Sequence, residues 1–142
     1  MKRHLIALAL SATVVALPSA GHTGSRRASF TTAQADEGAE LYRNACATCH
    51  GAALLGNWET PPLTGQFVAN WAGTPLSVLH DYITRAMPQM APGTLEPEET
   101  TAIIAFLLQQ NCIKSSRRPL PEKSAEMRKI VFPKPALATC GR

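Results

Sequence analysis

Three stretches of the chain repeat apolar residues at helical spacing, and between them the pattern dissolves. In "DEGAELYRNACATC" (36–49), Gly38, Leu41, Tyr42 and Ala45 share one face, and acidic residues sit in the opening turn, where the helix dipole favours them. "TPLSVLHDYITRA" (74–86) offers Thr74 as an N-cap and Pro75 as first helical residue, with Leu76, Leu79 and Ile83 on one stripe. "MPQMAPG" then breaks the helix. "EPEETTAIIAFLLQQN" (96–111) opens a third, with Pro97 and two glutamates in its first turn and Ile103, Ile104 and Leu107 turned inward. Residues 51–73 are rich in Gly, Pro, Asn and Thr and read as loop, and no segment alternates with period two. The expectation is an all-α domain of about three principal helices over residues 36–112.

The ends of the chain read differently. Lys2 and Arg3 precede an apolar run from Leu5 to Leu17, followed by the small residues Ser19, Ala20 and Gly21. That run is too short to span a bilayer and has the form of an export signal cut near residue 20; "TTAQA", ending at Ala35, is the alternative cut. Residues 21–35 are small, polar and aperiodic, as in a linker. The formal net charge of +4 hides a split. Residues 36–112 hold two cations against eight carboxylates, whereas 113–142 hold eight cations against two. An acidic domain thus carries a basic C-terminal extension. That extension reads either as a solvated tail or as an element that steers an acidic partner or an anionic membrane surface.

"CATCH" (46–50) admits several chemistries. A zinc site would need His80, Cys112 or Cys140 to complete four ligands, and the adjacent Cys49 and His50 point different ways on a helix. A redox dithiol belongs at the end of a strand in a βαβ unit, which the pattern lacks. A disulfide within the motif leaves His50 without a role. C-x-x-C-H is also the attachment motif for haem c. Cysteines three apart meet the two vinyl groups of one porphyrin edge, and the next residue, His50, lies under the iron. A 77-residue helical domain with few aromatics has a marginal core, which a porphyrin would fill. Candidates for the second axial ligand are Met87, Met90, His80 and Met127. Met87 and Met90 lie in a Pro/Gly-rich segment rather than on a helix face; His80 falls inside a helix, where a surface or hydrogen-bonded histidine is the ordinary case.

These residues, with "PPLTG", "FVANWAGTPLSVLHDYI" and "MPQMAPGTLEPEETTAIIAFLLQQN", resemble the class I cytochrome c family over residues 36–112. The resemblance implies one covalently attached haem c held by Cys46 and Cys49, with His50 and Met87 as axial ligands. It implies a Pro61 carbonyl bonded to the proximal histidine, and Trp71 near a haem propionate or against the haem edge. It also implies that Gly38 and Tyr42 cross the last helix at Ile103 and Phe106. Within the family the chain looks like the small cytochromes that serve periplasmic quinoprotein dehydrogenases, except that Cys112 stands where a glycine usually follows the final Asn.

The implied function is periplasmic electron transfer between redox proteins, from a dehydrogenase to an oxidase or another cytochrome, with no catalysis by the chain alone and no nucleic-acid partner. The variants of that function are a haem subunit of a larger dehydrogenase or oxidase complex, and a haem enzyme with an open sixth site. Against the latter, the distal segment has no acid–base pair, and Arg85 is its only nearby cation. In an oxidising compartment Cys112 and Cys140 are expected to form a disulfide.

Overall fold

The computed structural model describes residues 26–134 of the chain. In order they form β1 (Arg26–Arg27), α1 (Thr32–Ala45), α2 (Ala47–His50), α3 (Gln66–Trp71), α4 (Leu76–Ala86), α5 (Pro97–Gln110), α6 (Ser124–Met127) and β2 (Ile130–Val131). The three expected helices are α1, α4 and α5, and the domain is mostly helical, as expected. The export signal expected over 1–20, and Cys140, lie outside the described residues.

Helix α1 starts at Thr32, inside the stretch expected as linker, because Thr31 closes a capping box. Its hydroxyl accepts from the Gln34 N–H at 3.2 Å, and Gln34 Oε1 accepts from the Thr31 N–H at 3.3 Å. Such a cap is worth about 1 kcal/mol. Helix α5 opens the same way: Glu96 is the N-cap, Pro97 follows, and the Glu99 carboxylate accepts from the Glu96 N–H at 2.9 Å. Every residue from Thr100 to Leu108 is buried. An all-round apolar helix of this kind belongs at the centre of a fold.

Helices α1 and α5 cross where Gly38 allows it. A Cβ on Gly38 would run into the Ala102 carbonyl oxygen and lie 2.9 Å from Phe106 Cβ. One turn on, the rings of Tyr42 and Phe106 tilt together at 5.2 Å. Phe106 is thus where the family resemblance put it, while the backbone of Ala102 makes the other close contact.

The C-terminal extension folds back onto the domain as far as it is described. Leu120, Met127, Ile130 and Phe132 are buried in the same core as the helices. The Ser116 N–H donates to Phe30 O at 2.7 Å, and Gln34 binds both the N–H and the carbonyl of Leu120, at 2.9 and 3.0 Å. β2 pairs parallel to β1, with Ile130 opposite Arg26. The Phe132 N–H donates to Thr74 O at 2.8 Å, and its carbonyl accepts from the Gly73 N–H at 2.9 Å. Residues 113–134 are therefore not a solvated tail. Leu120, Met127, Ile130 and Phe132, spread among prolines and charges, fill places in the core, and Ile113 packs against it. Among the described residues no helix is long and apolar enough to cross a membrane.

Candidate functional site

The end of α1, the 51–64 loop, α3, α4 and α5 enclose a cavity of about 300 Å³. Leu79, Ile83, Ile103 and Leu107 give it apolar walls, and Cys46, Cys49 and His50 line one part of it.

Cys46 breaks α1 from α2 with φ −120° and ψ −35°, and its carbonyl accepts from the N–H groups of Cys49 (3.2 Å) and His50 (2.9 Å). This tight turn brings both thiols to the cavity. The Tyr42 hydroxyl ties the turn down by donating to Gly51 O at 2.7 Å. Cys46 and Cys49 are free thiols, Cys46 half-buried and Cys49 exposed. Burial, and then the nearby Cys49, push the Cys46 thiol up to about 11. Burial, reinforced by Cys46, likewise raises the Tyr42 phenol to about 12.

His50 is buried, and its Nδ1 lies 3.0 Å from the Pro61 carbonyl oxygen. That carbonyl can only accept, so Nδ1 carries the proton and Nε2 is left with a lone pair. The loop that presents Pro61 is itself constrained: Asn57 Oδ1 accepts from the N–H groups of Glu59 and Thr60, and Asn111 Nδ2 donates to Leu63 O at 2.9 Å.

Met87 is the C-cap of α4, its N–H bonded to Ile83 O at 2.9 Å, and it lines the cavity. Met90 is 92 % exposed, and Met127 is fully buried on α6; neither lines the cavity. His80 does not line it either. The expectation of a surface or hydrogen-bonded histidine fails there: His80 is buried, neither ring nitrogen has a hydrogen bond, and Nδ1 stands 3.5 Å from Asp81 Oδ1. Helix α6 packs on α4, a covering that the helical pattern of α4 alone does not foretell.

Trp71 lines the cavity between Phe67, at 6.1 Å, and Tyr82, at 6.3 Å between ring centroids. The part played by Phe67 and Tyr82 in this wall was not singled out from sequence. The spacing of Phe67 and Trp71, one helical turn apart on α3, was the available signal.

The donor set suits a porphyrin. Two free thiols and an imidazole with an open Nε2 stand at the edge of an apolar cavity, and a methionine thioether lies on another part of its wall. No group of three or more His, Cys, Asp or Glu among the described residues is placed to hold a bare metal ion.

Comparison with known proteins agrees with this geometry. Residues 33–107 match the family model described as cytochrome C oxidase, cbb3-type, subunit III. Among solved structures, the chain is similar to the sulfane dehydrogenase SoxCD from Paracoccus pantotrophus. The two are 27% identical, the match covers 87% of this chain and 68% of that one, and the TM-score is 0.54. No curated protein matches the chain.

Proposed function

The chain belongs to this cbb3-type subunit III family of cytochrome c domains, and on that premise we propose that it is an exported, periplasmic haem c subunit passing electrons from a dehydrogenase to an acceptor. The observation that carries the reading is the convergence of both motif thiols, His50 and Met87 on one apolar cavity.

The residues divide the work. Cys46 and Cys49 would hold the haem through thioethers, and their turn fixes how far apart the sulfurs lie. His50 would hold the haem iron through Nε2, and the Pro61 carbonyl fixes the ring's tautomer for that role. Met87, on another part of the cavity wall, would offer its thioether to the same iron, a soft ligand that would favour the reduced state and a raised potential. Leu79, Ile83, Ile103 and Leu107 exclude water, which lowers the local dielectric. When bound, the haem supplies a reversible one-electron couple. With His50 and Met87 both serving as ligands, no position would be left for substrate, and the chain would work as a redox module.

The similarity to a sulfane dehydrogenase favours service in a dehydrogenase complex over life as a free carrier. By that likeness the donor acts on a reduced sulfur compound. The test is expression in a host that attaches haem c. The purified protein should gain the mass of one haem, keep it through denaturation, and cycle reversibly at a defined potential. Loss of the haem on denaturation would refute the attachment, and Cys46→Ser with Cys49→Ser should produce that loss.

A further inference from the structure

The loop that carries Pro61 also displays a tryptophan to solvent. Trp58 is fully exposed, and Leu55 beside it is 64% exposed. The backbone that carries the indole is held in place. Asn57 Oδ1 accepts from the Glu59 N–H at 2.9 Å and the Thr60 N–H at 2.8 Å, while the Asn57 N–H donates to Thr60 O at 2.9 Å. Gly56 has φ 64°, and a Cβ there would collide with the Thr60 carbonyl oxygen.

Trp58 directly precedes Glu59, which lines the cavity. Elsewhere on the rim, Tyr82 lines the cavity and is half exposed, and Met90, one residue beyond the lining Gln89, is almost wholly exposed. Large apolar side chains therefore stand in water on three segments that border the cavity: the 51–64 loop, α4 and the loop after it. Exposed apolar side chains rimmed by polar residues mark an interaction site, and tryptophan and tyrosine are both enriched among interface hot spots.

The charges indicate what sits there. Glu59 adjoins Trp58, Asp81 adjoins Tyr82, and residues 36–112 hold two cations against eight carboxylates. Arg26, Arg27 and Arg118 line a separate cleft of about 320 Å³ that shares no residue with the cavity. We infer that Trp58 is the anchor by which a redox protein seats on the cavity rim, and that the partner's face is apolar at its centre and basic around it. This rests on the reading of the cavity as a haem c site. The acidic rim steers the approach, and the indole holds the docked state. Because the loop is already rigid, docking orders little chain. An anionic membrane is excluded from this face by the same charges.

A gold electrode bearing a mixed monolayer of methyl- and ammonium-terminated alkanethiols serves as the probe of this surface. The wild-type protein should adsorb and exchange electrons with it directly. Trp58→Ser should lower adsorption affinity or transfer rate by about tenfold or more, as expected for a hot spot, and Trp58→Phe should recover most of the loss. Val78→Ser, an exposed position that does not line the cavity, should change nothing. Haem content and solution potential, measured on the same samples, separate the two readings. A protein that takes up no haem sinks the reading of the cavity. A haem-loaded Trp58→Ser variant that behaves like the wild type overturns the docking surface, as does faster transfer on a carboxylate-bearing monolayer.

Discussion

The ring of Phe132 stands edge-on to that of Phe67, with centroids 5.7 Å apart and planes at 86°. Phe67 lines the cavity, and the backbone of Phe132 bonds Gly73 and Thr74, at the turn that follows Trp71. A residue far down the chain thus braces the wall that α3 presents to the cofactor. The extension beyond Cys112 is part of the site's architecture and not an appendage.

Phe132→Ala should cost about 3–5 kcal/mol, the range for deleting a buried phenylalanine. Denaturant unfolding of the haem-loaded protein measures it. Truncation after Cys112 removes Leu120, Met127, Ile130 and Phe132 together and should leave no stably folded domain, so a truncated protein that unfolds at the full-length midpoint would contradict this packing.

Two glycines should fail for different reasons. Gly38→Ala pushes a methyl group into the Ala102 carbonyl and forces α1 off α5, at a cost of about 3 kcal/mol, the upper end for overpacking. Gly51 has φ 75° and ψ 150°, a region almost reserved for glycine, with open space around it, so Gly51→Ala costs only backbone strain, about 2 kcal/mol. Unfolding curves of both variants should rank them in that order.

Much of this fold is legible in the chain. The stripes of α4 and α5, and the C-x-x-C-H run, are periodic or compact signals, and both helices lie within a residue or two of their expected bounds. The Thr31–Gln34 spacing of a capping box was equally present, yet the small polar residues around it read as linker. Helix α3 was hidden because Gly65 and a run of prolines and threonines precede it. The extension was illegible for a deeper reason. Leu120, Met127, Ile130 and Phe132 lie on or beside α6 and β2, elements of four and two residues that are too short for a period to stand out. His80 belongs with them: it is buried on a helix that α5, α6 and β2 all contact, and the pattern of α4 alone does not foretell the last two.

Before haem is attached, the two motif thiols should differ in reactivity. Cys46 is half-buried with its pKa raised to about 11 from an ordinary 9.0, whereas Cys49 is exposed. Only the thiolate reacts, so iodoacetamide at pH 8 should label Cys49 first, and labelling of Cys46 should rise with pH towards 11. A raised folded-state pKa stabilises the fold below the unfolded value. That contribution should fade in the apoprotein as pH climbs from about 9 through about 11. Peptide mass mapping against time decides the order, and equal labelling rates would contradict it.

We further predict a disulfide between Cys112 and Cys140. It would close a loop of about 28 residues, a constraint worth roughly 3–4 kcal/mol on chain-entropy grounds. Cys46 and Cys49 are the free thiols among the described residues. Digestion without reductant should yield one peptide joining the two positions; free thiols at both would refute the bridge.

The ferric absorption spectrum, recorded for the wild type, Met87→Ala and Met90→Ala, bears most directly on the reading of the chain as a His/Met-ligated electron carrier. The wild type should be low-spin with a methionine–iron charge-transfer band. Met87→Ala should keep its haem, lose that band, bind cyanide or CO readily and show a lower potential, while Met90→Ala leaves all of these unchanged. A wild-type protein that is high-spin without the band, or a band that Met90→Ala removes and Met87→Ala keeps, would contradict the account.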